Sequence, residues 1–242
     1  MKSANERYAF LVTCEHGGNR IPTHYRDCFA GKEALLQSHC GYDPGALSMA
    51  RGIVRQLGSP LIYSTISRLL VDLNRSLRNP RLHSENIQRL SVKSRRKIVE
   101  RYYLPIRARA EAVIDHAVAN GKCVIHISSH SFTPELDGVV RHADIGLLYD
   151  PGRSGEVALC SEWQACLKDH EPGLRVRRNY PYAGKSDGFT AFLRRRFSAT
   201  EYVGIELEIN QGLILEGGRA WRQRRALVIK SLALAIGRWR NK

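Results

Sequence analysis

The chain has 242 residues, of which 43% are hydrophobic and 25% charged, a globular composition that excludes intrinsic disorder. Thirty-eight lysines and arginines against 23 acids give a formal net charge of +15, so the surface attracts anions. The basic clusters, such as Arg95-Arg96-Lys97, Arg194-Arg195-Arg196 and the run from Arg222 to Arg225, are not interleaved with aromatics that could stack on bases. A specific nucleic-acid partner is therefore not expected.

The N-terminal Met1 to Arg7 has no apolar core of the secretory kind. No apolar stretch reaches the ~18 residues of a membrane span, so a soluble cytoplasmic protein is expected. Tyr8 to Thr13 reads as a buried strand, followed by the polar, glycine-rich Cys14-Glu15-His16-Gly17-Gly18-Asn19. Pro44 to Leu57 reads as a helix with Asp43 as N-cap and Pro44 at its first position. A short strand, Pro60 to Tyr63, leads to a loop carrying Ser67-Arg68 and Asp72-Leu73-Asn74-Arg75. Ile87 to Asn120 is helical, broken near Pro105 and stopped by Gly121.

Further strands are predicted at Cys123–Ser128, Asp144–Tyr149, Leu174–Arg177 and Tyr202–Ile209. Helices are predicted at Gly155–Lys168, within Ser186–Phe197 after Gly188, and at Gly218–Trp239. Alternating strands and helices give a single α/β domain, 1–242, with a mixed, largely parallel sheet between helical layers. The six cysteines form no CxxC pair, so neither a zinc knuckle nor a redox motif is expected.

Ligands of such sheets bind at the carboxyl ends of the strands. His16, His130 and Glu208 each fall at or just past a predicted strand end. Two imidazoles with a carboxylate suit zinc, with one position left for water. Asp43 is the first candidate for the third ligand, Glu15 the second, and His39 a further one. His126, inside a strand, reads instead as a core histidine. Glu206 and Glu208 are two apart on a strand and share a face; such a pair needs a nearby cation or proton when buried, and one of them could act as a base. Arg68, Asn74 and Arg75 offer a fork and an amide for a substrate carboxylate.

Together these motifs resemble the N-formylglutamate amidohydrolase family. The segments concerned are Cys14 to Pro22, Tyr42 to Ala46, Ser67-Arg68 with Asp72 to Arg75, His130 to Pro134, and Glu206 to Gln211. The resemblance spans residues 8 to 215 and extends, more distantly, to aspartoacylases and zinc carboxypeptidases. It implies a phosphorylase/hydrolase-like, zinc-exopeptidase-related three-layer fold and one zinc ion. His16 and His130 match the metal histidines, Glu208 the water-activating glutamate, and Arg68, Asn74 and Arg75 the carboxylate-binding group. Tyr182 and Asp187-Gly188-Phe189-Thr190 resemble a loop near the substrate, and Asn19 is a further candidate contact.

Two positions depart from the pattern. Asn19 stands where the carboxypeptidase-like motif has a glutamate, and Ser128 where histidine-degradation members have an aspartate. The implied activity is hydrolysis of a small N-acyl amino acid such as N-formylglutamate. A zinc peptidase acting on short or cell-wall peptides, and a basic nucleic-acid-binding protein, are the alternatives.

Overall fold

The computed structural model describes residues 7–240. Strand β1 (Tyr8–Cys14) is followed by a 3-10 turn (Thr23–Phe29), α1 (Glu33–Gln37), α2 (Ala46–Leu57) and β2 (Leu61–Tyr63). Next come α3 (Glu85–Gln88), α4 (Val92–Ile98), a π-helical turn (Val99–Tyr103), α5 (Leu104–Ala119) and β3 (Cys123–Phe132). The short strands β4 (Glu135–Leu136) and β5 (Val139–Val140) precede β6 (Ile145–Leu148), α6 (Ser154–His170) and β7 (Val176–Arg178). The chain closes with α7 (Phe189–Arg196), β8 (Tyr202–Asn210), α8 (Gln211–Leu215) and α9 (Gly218–Arg240).

Six strands form one sheet in the order β2-β1-β3-β8-β6-β7. The pairs β1–β2, β1–β3, β3–β8 and β6–β7 are parallel, and β6 meets β8 antiparallel. The sheet is thus mixed and mostly parallel, with helices on both faces. Alternation assigns the faces. Val12, Ile125, Ile127, Ile205, Leu207 and Leu147 point to one side, where residues of α2, α6 and α9 join them in the largest core cluster. Leu11, Val124 and Tyr202 point to the other, against Ile114 of α5 and Leu193 of α7. A third cluster, including Leu70, Leu73, Ile87 and Ile98, sits under the 66–103 region.

Two boundaries differ from those expected. β3 runs to Phe132 rather than ending at Ser128, so Ser129, His130 and Ser131 belong to the strand. Their backbone is held by β8, with His130 opposite Glu208 and Phe132 opposite Asn210; pairing on a central strand overrides the polar composition. The helix expected from Pro44 begins at Ala46, with Gly45 as its N-cap at φ 76°. Asp43 is therefore not the N-cap: its main-chain carbonyl accepts from Ala46 N, but its side chain turns to the histidines. The break near Pro105 takes the form of the π turn immediately before it. The hairpin β4–β5 was not anticipated, although Asp137-Gly138, both at positive φ, mark its turn.

Candidate metal centre and cleft

Three elements carry one group of side chains. His16 follows the end of β1, Asp43 precedes α2, and His130 lies on β3. One ligand atom from each of the three lies within 4.8 Å of the others, and all three residues are buried. The two imidazole rings are 5.1 Å apart, centroid to centroid. Asp43 Oδ2 accepts from His130 Nδ1 at 2.9 Å and lies 3.4 Å from His16 Nδ1.

The outer nitrogen of each ring is taken by a different carboxylate. His16 Nε2 donates to Asp72 Oδ1 at 2.7 Å, and His130 Nε2 lies 3.1 Å from Glu15 Oε2. Glu15 also accepts from Ser128 Oγ at 2.7 Å. Carboxylates behind metal-binding histidines fix ring orientation and leave the inner nitrogen for the metal. Glu15 therefore sits behind His130, outside the three-residue group. Asp72, part of the Asp72 to Arg75 motif but not singled out as a site residue in the sequence, is buried and orients His16. Its signal was Arg68 four residues earlier, whose Nη2 donates to it at 2.8 Å. Ser128 holds Glu15.

Burial would raise the Asp43 carboxyl, but His16, His130 and Arg68 hold it well below the ordinary range. Glu15 is lowered to about 2 against its burial, chiefly by its hydrogen bond with His130. Burial works against protonation of His130, yet Asp43 and Glu15 raise it well above its ordinary value. His16 is raised too: burial and Arg68 oppose its charge, and Asp72 and Asp43 outweigh them.

Glu206 and Glu208 stand on the same face of β8, opposite Ser128 and His130 respectively. Burial, with Asp43 and Glu206 adding to it, pushes Glu208 up to about 8. Its Oε2 is buried without a hydrogen-bond partner, as is Glu15 Oε1. Glu206 accepts a short hydrogen bond from Thr190 Oγ1; Thr190 is fully buried and supports Glu206 from behind. Gly146 lies opposite Glu208 on β6; a Cβ there would meet Tyr180 O at 2.1 Å, so only glycine lets that loop pass so close.

These groups open into a cleft of about 280 Å³. Arg68, Asn74, Arg75 and Tyr182 line it. Arg68 spends its fork inside the protein, with Nε and Nη2 on Asp72 Oδ2 and Nη1 on Asp43 Oδ1. Asn74 Oδ1 accepts from Phe189 N at 2.6 Å. Arg75 Nη1 donates to Asp187 O at 3.3 Å, and the side chain is 31% exposed. Tyr182 stands at the rim, 44% exposed, with its hydroxyl accepting from Arg141. Arg81 also lines the cleft; as an isolated surface arginine it gave no signal in the sequence. Asn19 lines a separate groove with Ile21 and Phe29 and does not reach the cleft. His39 is absent from the cleft lining too. His126 is a core residue, bonded to Thr13 Oγ1 and Tyr202 OH, with burial lowering it to about 4.

The N-formylglutamate amidohydrolase family model matches residues 8–215. The chain belongs to this family. Family members are amide hydrolases, a chemistry for which buried carboxylates beside a His-Asp-His group are suited. Among solved structures, a gene product of Agrobacterium tumefaciens is 27% identical, with a TM-score of 0.81 over 98% of this chain and 93% of that one. The N-formylglutamate amidohydrolase of Ralstonia eutropha JMP134 is 19% identical, with a TM-score of 0.71 over 95% and 93% of the two chains. At that identity the likeness is one of fold. A comparison with curated proteins finds no match. No helix among the described residues is long and apolar enough to cross a membrane.

Proposed function

We propose that this family member is a zinc-dependent amidase that cleaves a small N-acyl amino acid, N-formylglutamate being the type substrate, with His16, Asp43 and His130 holding the metal. The fit rests on charge. Glu15, Asp43, Asp72, Glu206 and Glu208 are all buried, around two histidines and the half-buried Arg68. Buried carboxylates that outnumber the cations beside them are costly, and a divalent cation at the histidines would balance them. In such a site zinc supplies Lewis acidity toward the amide carbonyl and makes water more acidic.

The chain's own residues supply the rest. Glu208 accepts the proton of the attacking water and returns it to the departing nitrogen. Burial keeps the basicity of Glu208 high; Asp43 and then Glu206, which Thr190 fixes on the same face, add to it by repulsion. Arg75, with Arg81 and Asn74 near it, receives the substrate carboxylate and so orients the scissile bond. Arg68 is assigned a different part from the one first expected. Its bonds to Asp43 and Asp72 support a part in holding those carboxylates in register, with only its exposed edge toward substrate.

The single observation that carries this reading is Glu208, a buried carboxylate with a free oxygen on the face that presents His130. The test is metal analysis of the purified chain together with a hydrolysis panel of N-formyl and N-acetyl amino acids and short peptides. About one zinc per chain with turnover of an N-acyl amino acid is expected. Turnover of peptides alone would replace this reading with a peptidase. Absence of tight metal binding would end it.

A further inference from the structure

A second cavity lies behind one wall of the cleft. It is bounded by Ser76 to Arg78, the start of α5 and the α7 helix, and its volume is about 620 Å³, within the range of small-molecule sites. Asp187 is the one residue that lines both this cavity and the cleft. Their chemistry differs. Leu77, Leu104 and Phe192 give the second cavity an apolar lining, and Leu77 is 52% and Leu104 44% exposed. Two leucines left in water around one concavity form an apolar surface that a ligand can cover.

The charges around it do not balance. Arg78, Arg107 and Arg195 line the cavity with Glu111 and Asp187. Both carboxylates are already engaged. Asp187 Oδ2 accepts from Ser76 N, Ser76 Oγ and Asn79 Nδ2, and Glu111 pairs with Arg196. The side chains of Arg78 and Arg195 make no hydrogen bond or ion pair among the described residues. Arg107 is only 4% exposed. Its guanidinium lies 4.3 Å from the Phe189 ring centroid and 4.6 Å from that of Phe192. Nη1 donates to Arg75 O at 3.0 Å, whereas Nη2 is buried with no acceptor. An orphaned buried donor on a cation is a costly arrangement that an anion would relieve.

We propose that this cavity binds a small amphiphilic anion. Its alkyl or aromatic body lies against Leu77, Leu104 and Phe192, and its carboxylate or sulfonate sits among Arg78, Arg107 and Arg195. The site is distinct from the hydrolytic cleft and does not depend on the activity proposed for that cleft.

Octanoate is the probe, titrated calorimetrically into the full chain as purified, with octylammonium as the charge-inverted control. Leu104→Glu and Arg195→Glu alter exposed positions, and Arg222→Glu makes the same charge change at a remote exposed position. Circular dichroism checks that each variant is folded. The expected result is one saturable octanoate site per chain, weakened about tenfold or more by Leu104→Glu and by Arg195→Glu. Arg222→Glu should bind as the parent does, and octylammonium should not bind. Absence of saturable binding overturns the proposal. So does octanoate affinity unchanged in both cavity variants, which would place the probe elsewhere, or equal weakening by Arg222→Glu, which would reduce the effect to net charge.

Discussion

Replacing Arg194 by Met should unfold the protein far more readily than its distance from the cleft implies. β6 pairs with β8 only along Glu206–Ile209, so the earlier part of β8 has no strand on that side. Two side chains take the strand's place at Gly204. Glu156 accepts from Gly204 N at 3.1 Å, and Arg194 Nη2 donates to Gly204 O at 2.7 Å. The pair is closed by Arg194 Nε to Glu156 at 3.0 Å and 3.1 Å, and Arg194 Nη1 reaches Gly184 O at 2.7 Å. The two side chains are 5% and 0% exposed, so the loss is not softened by solvent. Arg194→Met leaves a buried carboxylate without its cation and two carbonyls without donors. Breaking a buried pair from one side costs about 3–5 kcal/mol, which for a chain of this size lowers Tm by roughly 6–20 °C. Arg194→Lys should fall between, since an ammonium cannot serve a carboxylate and two diverging carbonyls at once. Urea unfolding of the three proteins measures this. A loss below about 1 kcal/mol in Arg194→Met would refute the idea that this pair stands in for a missing strand.

Four further outcomes follow from the site and core. Glu208→Gln should lower kcat by about 10²–10⁴-fold while the zinc content, read by emission spectroscopy, stays that of the parent; unchanged kcat would remove Glu208 as the base. Asp72→Asn should weaken metal binding by about 10–100-fold, measured against a chromophoric chelator, and a change under twofold would deny its role in orienting His16. Metal affinity should rise with pH. His16 and His130 have raised values in the metal-free protein, so the proton on each must leave before the metal enters, and the dependence levels off only above those raised values; a flat profile from pH 6 to 8 would contradict this. His126, lowered to about 4 by burial, binds its proton more readily when unfolded. It therefore withdraws stability as pH falls from about 6.5 toward 4, by roughly 3 kcal/mol. His126→Gln should flatten that part of the stability curve, and an unaltered curve would count against the assignment.

Much of this architecture can be read without coordinates, because strand and helix signals are local. The apolar runs at Tyr8, Cys123 and Tyr202 announce the central strands, and the two-residue spacing of Glu206 and Glu208 places them on one face. The segment from Ser129 to Ser131 is harder. Its polar side chains look like a loop, and only pairing with β8 on one side makes them a strand. The split between the inner and outer partners of the histidines is equally invisible. Asp43, Glu15 and Asp72 are all acids near motifs, and nothing in their spacing tells which faces Nδ1 and which faces Nε2. That choice is made by where β1, β3 and the 67–75 loop meet. Asn19 shows the converse: it follows His16 by three residues, yet the chain turns there and carries it to another groove.

Glu206 and Glu208 are carried by a strand flanked on both sides, by β3 and by β6. Neither carboxylate can shift far without parting the middle of the sheet, so charge arriving in the cleft meets oxygens that need little reorganisation. Adaptation to different substrates is left to the rim, where Tyr182, Arg81 and the 135–140 hairpin project from irregular segments. Such an enzyme would keep its chemistry stiff and change its diet by editing loops.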